Sequence, residues 1–281
     1  MHKSGFVNII GNPNVGKSTL MNALVGEKLS IITSKAQTTR HRILGIVNGD
    51  DFQIVFSDTP GILKPCYKLQ ESMMNFVRGA LSDADVLLYV TDTVERDDER
   101  AAEIIDRIRQ SGVPTLVVVN KIDLTTQEAL EALVEKWRAT LPDAEIIPIS
   151  AREGFNIAGL FDRILALLPE GEPFYPKDTL TDKTLRFFAS EIIREKILRN
   201  YDKEIPYSCE IEIEEYREEP GIDRISAVIY VARNSQKGIL IGHKGEKLKK
   251  VGRQAREEFV KVSEDWRNDQ RQLRRFGYDP Q

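Results

Sequence analysis

A glycine loop near the start of the chain constrains the fold more than any other feature. Residues 11–18 read GNPNVGKS, with two glycines separated by four residues and a lysine and a serine at the end. The loop follows the apolar run Phe6–Ile10 and precedes a helical pattern, which is the strand–loop–helix context of a phosphate-binding loop. Backbone N–H groups and a helix N-terminus can meet phosphate there, so we expect a nucleotide site on an α/β sheet.

Short apolar runs alternate with longer helical patterns through the first part of the chain. The further runs that predict buried strands are Gln53–Asp58, Val86–Asp92, Thr115–Asn120 and Ile146–Ser150. Their nearly continuous apolar character is typical of a parallel sheet covered on both faces. Ile43–Val47 lies so close to the next run that a hairpin is expected, which gives the sheet one antiparallel edge strand. The sequence therefore predicts a mostly parallel, doubly wound α/β domain over residues 1–168.

A second, smaller domain is expected after a stretch rich in proline and glycine. A chain of 281 residues exceeds the usual size of one domain. The stretch LLPEGEPFYPKD predicts a boundary, with a linker over residues 169–178. Residues 179–281 read as a helix, two strands, a helix after Gly245 and a tail, which indicates a small α+β domain.

Composition excludes several other classes of function. The formal net charge of −4 gives no overall sign of a nucleic-acid binder, although it can hide local asymmetry. Cys66 and Cys209 form no CxxC pair, and with three histidines in the chain a zinc site is not expected. We interpret both cysteines as reduced thiols of a cytosolic protein. No apolar run approaches the length of about 18 residues that a membrane span needs, which predicts a soluble protein with loose membrane attachment left open.

The glycine loop and a second motif offer groups for a triphosphate and its metal ion. Lys17 should reach the β- and γ-phosphates, and Ser18 should ligate Mg²⁺. Residues 58–61 read DTPG at the carboxyl end of a predicted strand, where ligands bind in open α/β sheets. There Asp58 can hold Mg²⁺ through water, and the N–H of Gly61 can meet the γ-phosphate.

A third motif, NKID at residues 120–123, selects the base. It also follows a predicted strand, so it should lie at the same edge of the sheet. The carboxylate of Asp123 can accept hydrogen bonds from the guanine N1–H and 2-amino group, which adenine cannot supply. Because unpaired buried acceptors penalise the wrong base strongly, we expect GTP and not ATP.

These motifs, together with SAR at residues 150–152, resemble the translation-factor-related GTPases, specifically the Era-like branch. SKAQTTRHR, residues 34–42, resembles the first switch of that branch. The resemblance implies a switch threonine on Mg²⁺ and the γ-phosphate; Thr38 and Thr39 are both available, and Thr39, next to Arg40, is favoured. It also implies that the Ala151 N–H meets guanine O6 and that the stem of Lys121 covers the base. The nucleotide-binding residues so predicted are Asn12, Asn14, Val15, Gly16, Lys17, Ser18, Thr19, Asp58, Gly61, Asn120, Lys121, Asp123, Ser150, Ala151 and Arg152, with Ser18, Thr39 and Asp58 as metal ligands.

Hydrolysis is expected to be slow without a partner. Ras-like enzymes place a water-positioning glutamine after the DxxG glycine, whereas this chain has the apolar Ile62 there. The resemblance suggests that Asn14 helps to bind K⁺ beside the phosphates, an electrostatic substitute for an arginine finger. The alternative is that Asn14 only accommodates a tight turn, since asparagine tolerates left-handed conformations. The predicted catalytic residues are Lys17, Thr39, Gly61 and Asn14.

A second glycine loop, GHKG at residues 242–245, matches the GXXG loop with which KH domains clamp a single-stranded nucleic-acid backbone. The segment from Lys244 to Arg256 carries six lysines and arginines and one acidic residue, whereas EIEIEEYREE is acidic. The alternative is a solvated basic helix on an ordinary turn. A second nucleotide site is not expected, because the loop lacks a G-K-[ST] ending and an acidic metal ligand. The predicted RNA-binding residues are Ile241, Gly242, His243, Lys244, Gly245, Lys247 and Lys250.

The resemblance extends to nearly the whole chain. ASEIIREKI, EIPYS, QKGILIGHKGEKLKKVG and DWRNDQRQLRRFGY resemble the C-terminal part of the same family, a KH domain of the second type. This implies a monomer that binds small-subunit ribosomal RNA near its 3′ end and helps to mature the small ribosomal subunit in the cytoplasm. Peripheral contact with the inner face of the cell membrane is left open. The alternatives are a membrane-surface-associated signalling GTPase, whose basic helix meets anionic lipid, and a tRNA-modifying GTPase, for which no extra catalytic domain or cysteine is evident.

One feature departs from the family pattern. A KH domain of this type should carry a third strand after the long helix, reached through a short loop. Here RQAREEF continues directly into VKVSEDW, with no turn residues between Phe259 and Val260. Either about a dozen residues are absent at this point, which is favoured, or the domain is truncated.

Overall fold

The computed structural model describes residues 1–33, 35, 37–66, 68–94 and 99–275. The chain divides into two compact units, Met1–Asp182 and Lys183–Gln281. Among the described residues, no helix is both long enough and apolar enough to cross a lipid bilayer.

The first unit is built on a six-stranded sheet with the order β2-β3-β1-β4-β5-β6. Its strands are β1 (Lys3–Gly11), β2 (Ile43–Asn48), β3 (Phe52–Asp58), β4 (Val86–Asp92), β5 (Thr115–Asn120) and β6 (Glu145–Pro148). All neighbours pair in parallel except β2 and β3. The predicted parallel sheet with one antiparallel edge strand is therefore confirmed.

Helices connect the strands of this sheet. They are α1 (Lys17–Val25), α2 (Lys68–Ser82), α3 (Glu99–Ser111), α4 (Gln127–Thr140) and α5 (Ile157–Leu167). Helix α3 ends before Gly112, whose φ of 68° lies in the left-handed region that glycine adopts readily. Strand β5 is buried along its whole length, which explains its uninterrupted apolar sequence. Because these strands pair in parallel, their carboxyl ends lie at the same edge of the sheet.

The segment that follows α5 makes hydrogen bonds with strands β2 and β3 of the first unit. The side-chain amide of Gln53 accepts hydrogen bonds from the N–H groups of Phe174 and Tyr175 at 2.7 and 2.9 Å. Further along, the Ile46 N–H donates to the Leu180 carbonyl at 2.8 Å. A linker was expected over residues 169–178, but the division between the units falls later, between Asp182 and Lys183. The physical reason is that backbone groups of the connecting segment find partners on strands β2 and β3.

The described part of the second unit contains a two-stranded antiparallel sheet and three α-helices. Its elements are α6 (Leu185–Asn200), β7 (Cys209–Glu219), β8 (Ile222–Val231), α7 (Asn234–Ile241) and α8 (Glu246–Arg275). Helices α6 and α8 contribute Ile192, Val251 and Phe259 to a buried core with the strands. Helix α7 was not foreseen, because Gly238 and the polar start of this segment favoured a turn over a helix.

The expected third strand is not present among the described residues of the second unit. Helix α8 runs without interruption through Phe259 and Val260, so VKVSEDW is helical in this structure. No glycine or proline occurs between Arg253 and Arg275 to end the helix. A groove of about 880 Å³ lies beside this helix and is lined by Ile193, Ile225 and Phe259, among others.

Candidate functional site

Gly16 occupies a position in the first glycine loop that only glycine fits. Its φ is 98°, and a Cβ would lie 2.2 Å from Nδ2 of Asn120. That amide is fixed at both ends, since Nδ2 donates to the Val15 carbonyl at 2.8 Å and Oδ1 accepts from the Ala151 N–H at 2.9 Å. Asn120 therefore joins the glycine loop to the SAR segment and brings three of the predicted motifs together.

Lys17 is enclosed by the loop that precedes it. The side chain is buried, and Nζ donates to the carbonyls of Gly11 and Asn12 at 3.0 and 2.9 Å. Burial lowers the pKa of Lys17 to about 8, and the charge of Asp58 opposes the shift. Since phosphates favour a charged amine, Lys17 could exchange these carbonyls for phosphate oxygens. Thr19 lies half-buried in the first turn of α1.

Three oxygen-bearing side chains converge beside Lys17. Oδ2 of Asp58 accepts from the Ser18 hydroxyl at 2.7 Å and from the Thr39 hydroxyl at 3.5 Å, and these two hydroxyls lie 3.0 Å apart. Burial raises the pKa of the Asp58 carboxyl, while the Lys17 charge and nearby hydroxyls oppose that rise. Oδ1 of Asp58 is buried and has no hydrogen-bond partner among the described residues. These oxygens fit a hard cation such as Mg²⁺.

The structure distinguishes the two switch threonines. Thr39 is buried beside Asp58, as described. Thr38 instead donates to the Lys35 carbonyl at 2.6 Å and lies 2.7 Å from the Thr33 hydroxyl. Of the two candidates, only Thr39 has its hydroxyl near the proposed metal ligands.

The DTPG segment approaches the first glycine loop closely at Gly61. A Cβ on Gly61 would lie 2.8 Å from the Pro13 backbone, so a larger residue would displace one of the two loops. The next residue, Ile62, is buried in the core, and its N–H donates to the Gly11 carbonyl at 3.1 Å. An apolar side chain packed in the core cannot orient a water molecule, which is consistent with the expectation of slow hydrolysis.

The groups predicted to recognise guanine lie together. Ser150 donates to Oδ1 of Asp123 at 2.6 Å, which orients that carboxylate. Lys121 has a left-handed φ of 64°, and its Nζ donates to the Asn14 carbonyl at 2.5 Å and to Asp92 at 2.7 Å. Asn14 also has a left-handed φ of 64°, as the tight-turn alternative requires.

Two residues predicted to contact the guanine base, Ala151 and Arg152, make other contacts in this structure. The N–H of Ala151 already donates to Asn120, so contact with guanine O6 would require that it be shared or exchanged. The side chain of Arg152 is 84% exposed and makes a weak ion pair with Glu153 at 3.6 Å.

Sequence reasoning overlooked Asp92, which anchors the Lys121 ammonium. The signal was present, because Asp92 ends a buried strand as Asp58 and Asn120 do. A polar residue at the carboxyl end of an apolar strand is a site candidate even without a named motif.

The second glycine loop forms a tight turn between two helices. Gly242, Lys244 and Gly245 have positive φ values of 72°, 49° and 77°. His243 and Lys244 are exposed, as are Lys247 and Lys250 on the first turns of α8, while Ile241 is half-buried. Lys247 also lies over the ring of Tyr201, with 5.7 Å between Nζ and the ring centroid. The loop thus presents exposed cations beside a helix N-terminus, which suits a phosphate backbone.

Both parts of the chain match known protein families. A family model described as 50S ribosome-binding GTPase matches residues 6–121, and a KH domain model matches residues 204–266. The GTPase Era of Syntrophus aciditrophicus is 45% identical over 99% of this chain and 96% of that protein. The GTPase Era of Alkaliphilus metalliredigens is 43% identical over 99% of each. The chain belongs to the Era family of GTPases.

Solved Era structures have the same fold. A variant of Aquifex aeolicus Era bound to GDP·AlF4⁻ is 42% identical, with a TM-score of 0.88 over 92% of this chain and 89% of that one. An Era complex with MgGDPNP and nucleotides 1506–1542 of 16S ribosomal RNA is also 42% identical, with a TM-score of 0.88 over 93% and 90%. The expected architecture, a P-loop GTPase domain followed by a KH domain, is thereby confirmed, and the protein is a GTPase.

The Era relatives are longer than this chain in the aligned region. The two alignments extend over 294 and 293 positions, whereas the chain has 281 residues. Each of these relatives therefore has at least about a dozen positions without a counterpart here. That difference matches in size the segment expected to be absent before Val260.

Proposed function

We propose that the chain is a GTP-dependent switch that binds single-stranded small-subunit ribosomal RNA near its 3′ end and assists maturation of the small ribosomal subunit. The observation that carries this proposal is the presence, in one chain, of Ser18, Thr39 and Asp58 converging beside the first glycine loop and of an exposed basic GXXG turn. An Era structure with 42% identity holds nucleotides of 16S ribosomal RNA and extends over 93% of this chain, which supports the same target. Such a target also favours a cytoplasmic location.

Different residues would contact the phosphates, the base and the metal ion. Lys17 and the N–H groups of the first loop would bind the phosphates, and Asp123 would select guanine. Ser18, Thr39 and Asp58 would hold Mg²⁺, which neutralises charge on the phosphates when it is bound. The related structures with GDP·AlF4⁻ and MgGDPNP support these cofactors.

Asn14 is proposed to assist hydrolysis by helping to hold K⁺ near the phosphates. The motivation is that Ile62 leaves the water without a polar partner from that position. GTPase rates measured in KCl and in NaCl, for the wild type and for Asn14→Ala, test this role. A K⁺ stimulation that the variant loses supports it, and equal rates in the two salts contradict it.

The RNA proposal is tested by crosslinking the full chain in its GTP form and sequencing the bound RNA. Enrichment of the 3′ end of small-subunit ribosomal RNA is expected. Recovery of scattered messenger fragments without ribosomal enrichment would overturn the proposal.

A direct binding experiment separates RNA from the membrane alternative. The full chain is offered a pyrimidine-containing single-stranded RNA in filter binding and vesicles of anionic phospholipid in flotation. We expect RNA binding that weakens in Lys244→Ala and Lys250→Ala, with little vesicle binding. Strong flotation without RNA binding would favour the signalling alternative.

A further inference from the structure

Arg42 makes a fork of hydrogen bonds where the first switch segment rejoins the sheet. It lies immediately before β2 and three residues after Thr39. Its Nε donates to the Ser57 hydroxyl at 2.6 Å, and its two terminal nitrogens donate to both carboxylate oxygens of Asp83 at 2.5 and 3.0 Å. A planar guanidinium suits this two-pronged geometry, whereas a lysine ammonium could satisfy only part of it.

Asn8 closes the network from the centre of the sheet. Its Nδ2 donates to the Ala80 carbonyl at 2.7 Å and to Asp83 at 2.6 Å, and its Oδ1 accepts from Arg42 at 3.2 Å. Asn8 and Ser57 are fully buried, whereas the side chains of Arg42 and Asp83 are 20% and 48% exposed. An ion pair this exposed contributes little by itself. The buried polar partners make the arrangement specific, because each would lose a hydrogen bond if Arg42 were replaced.

The network links the segment that carries Thr39 to strand β3 and to the carboxyl end of α2. Ser57 directly precedes the proposed metal ligand Asp58 on β3. Ala80 lies in the last turn of α2 and Asp83 just beyond it, and α2 is the helix that follows the DTPG segment. Arg42 itself belongs to the segment that carries Thr39. One guanidinium therefore connects the segment that carries Thr39 to Ser57, which is next to Asp58, and to Asp83 at the carboxyl end of α2.

We propose that Arg42 is a positioning residue that couples the Thr39 segment to α2 and thereby favours GTP over GDP. The proposal rests on the γ-phosphate roles proposed above for Thr39 and Gly61. Holding the Thr39 segment against Ser57 and the end of α2 before the nucleotide arrives lowers the conformational entropy that this segment loses when it closes on the γ-phosphate. GDP has no γ-phosphate, so its affinity depends mainly on the first glycine loop and the NKID residues. Loss of Arg42 should therefore weaken GTP binding selectively.

The test compares affinities of the full chain for GDP and for GDPNP, a GTP analogue that resists hydrolysis, at fixed Mg²⁺. Arg42→Lys and Arg42→Gln are expected to lower GDPNP affinity about tenfold and to leave GDP affinity within about twofold. GTP hydrolysis at subsaturating GTP should fall in parallel with the GDPNP affinity. The matched control is Arg163→Gln, which removes an exposed two-pronged pair with Glu145, at 2.6 to 3.0 Å, outside the switch segments.

Asp83→Asn removes the carboxylate that pairs with Arg42 and leaves the sequence of the Thr39 segment unchanged. It should reproduce the selective loss, and the double variant with Arg42→Gln should lose less than the product of the two single effects. A purely structural role predicts equal losses for GDP and GDPNP, and either that result or no loss overturns the proposal. If the wild type itself binds neither nucleotide, the proposed nucleotide site fails instead, so the two failures are distinguishable.

Discussion

The glycine loop at residues 11–18 and the glycine loop at residues 242–245 both place left-handed glycines before a helix, but they differ in what surrounds each glycine. Behind Gly16 lies the buried amide of Asn120, which is held by two hydrogen bonds. Behind Gly242 lies the aliphatic stem of Lys247, 2.8 Å from where a Cβ would be, and this side chain is exposed. The first loop is bordered by a buried amide, whereas the second is bordered by an exposed lysine.

The lysines of the two loops also differ in their exposure to solvent. Lys17 is buried, and burial lowers its pKa to about 8. Lys244 and Lys250 are exposed to solvent. A compact triphosphate with its metal ion needs donors fixed in advance in an environment of low dielectric constant. A polymer backbone needs several accessible cations that can follow it. Four predictions examine this difference, in order of decreasing effect.

The largest effect is expected for Gly16→Ala. The new methyl group would overlap the side chain of Asn120. The substitution would also force alanine to adopt a φ of 98°, which residues with a Cβ rarely adopt. We expect GDP affinity to fall at least about a hundredfold. Gly26→Ala is the control, because Gly26 has a φ of 83° but no atom within 4 Å of its Cβ position. The control should lose some thermal stability and keep GDP affinity, both measurable by calorimetry. An affinity within about fivefold of wild type in Gly16→Ala would show that the first loop is not rigid.

The second prediction concerns salt. If about three phosphates are neutralised, raising NaCl from about 50 to about 200 mM should weaken single-stranded RNA binding about twentyfold. Lys250→Ala should make the slope of log affinity against log salt shallower by about 0.7. Lys261→Ala, on the same helix about 16 Å further along, should leave the slope unchanged. GDP binding, measured in the same buffers, should respond less. An RNA affinity independent of salt would contradict the role given to the second loop.

The third prediction concerns pH and follows from Lys17. In the free protein its pKa is about 8, and bound phosphates would raise it. Above about pH 8 the protein must therefore take up a proton as nucleotide binds, so GDP affinity should fall as pH rises, by up to about tenfold per pH unit. Calorimetry in two buffers of different ionisation enthalpy measures the proton uptake directly. Uptake should approach one proton near pH 9 and be small near pH 7, and no uptake at either pH would refute the assignment.

The smallest effect is expected for Gly245→Ala. No atom lies within 4 Å of its Cβ position, so the cost is the left-handed φ of 77° alone. We expect a loss of about 1 kcal/mol in stability and about threefold in RNA affinity. Gly242→Ala should cost more, because Lys247 must move to make room. RNA titrations and thermal unfolding of both variants give the comparison, and a larger loss for Gly245→Ala would reverse the order proposed.

Much of the fold followed from local patterns. The apolar runs predicted the strands of the first unit. The short spacing after Ile43–Val47 predicted the antiparallel edge strand. Helix α7 was missed because Gly238 weakens a helical pattern in a short segment. The third strand was expected from the family, but α8 continues through Val260, since the residues there form an unbroken helical stretch. The sequence has no turn residue between Phe259 and Val260, and the structure is helical there.

The sequence by itself determined which chemical groups are available and in what order, because strand and helix periods are local properties. Motifs at the ends of apolar strands predicted a phosphate loop, candidate metal ligands and a guanine acceptor. Only the tertiary structure decided that Thr39, and not Thr38, lies beside Asp58. It also decided that Asn120 bonds to Val15 across 105 residues and that Arg42 reaches Asp83 across 41. Such pairs depend on strand order and on the length of each connection, and no local pattern contains that information.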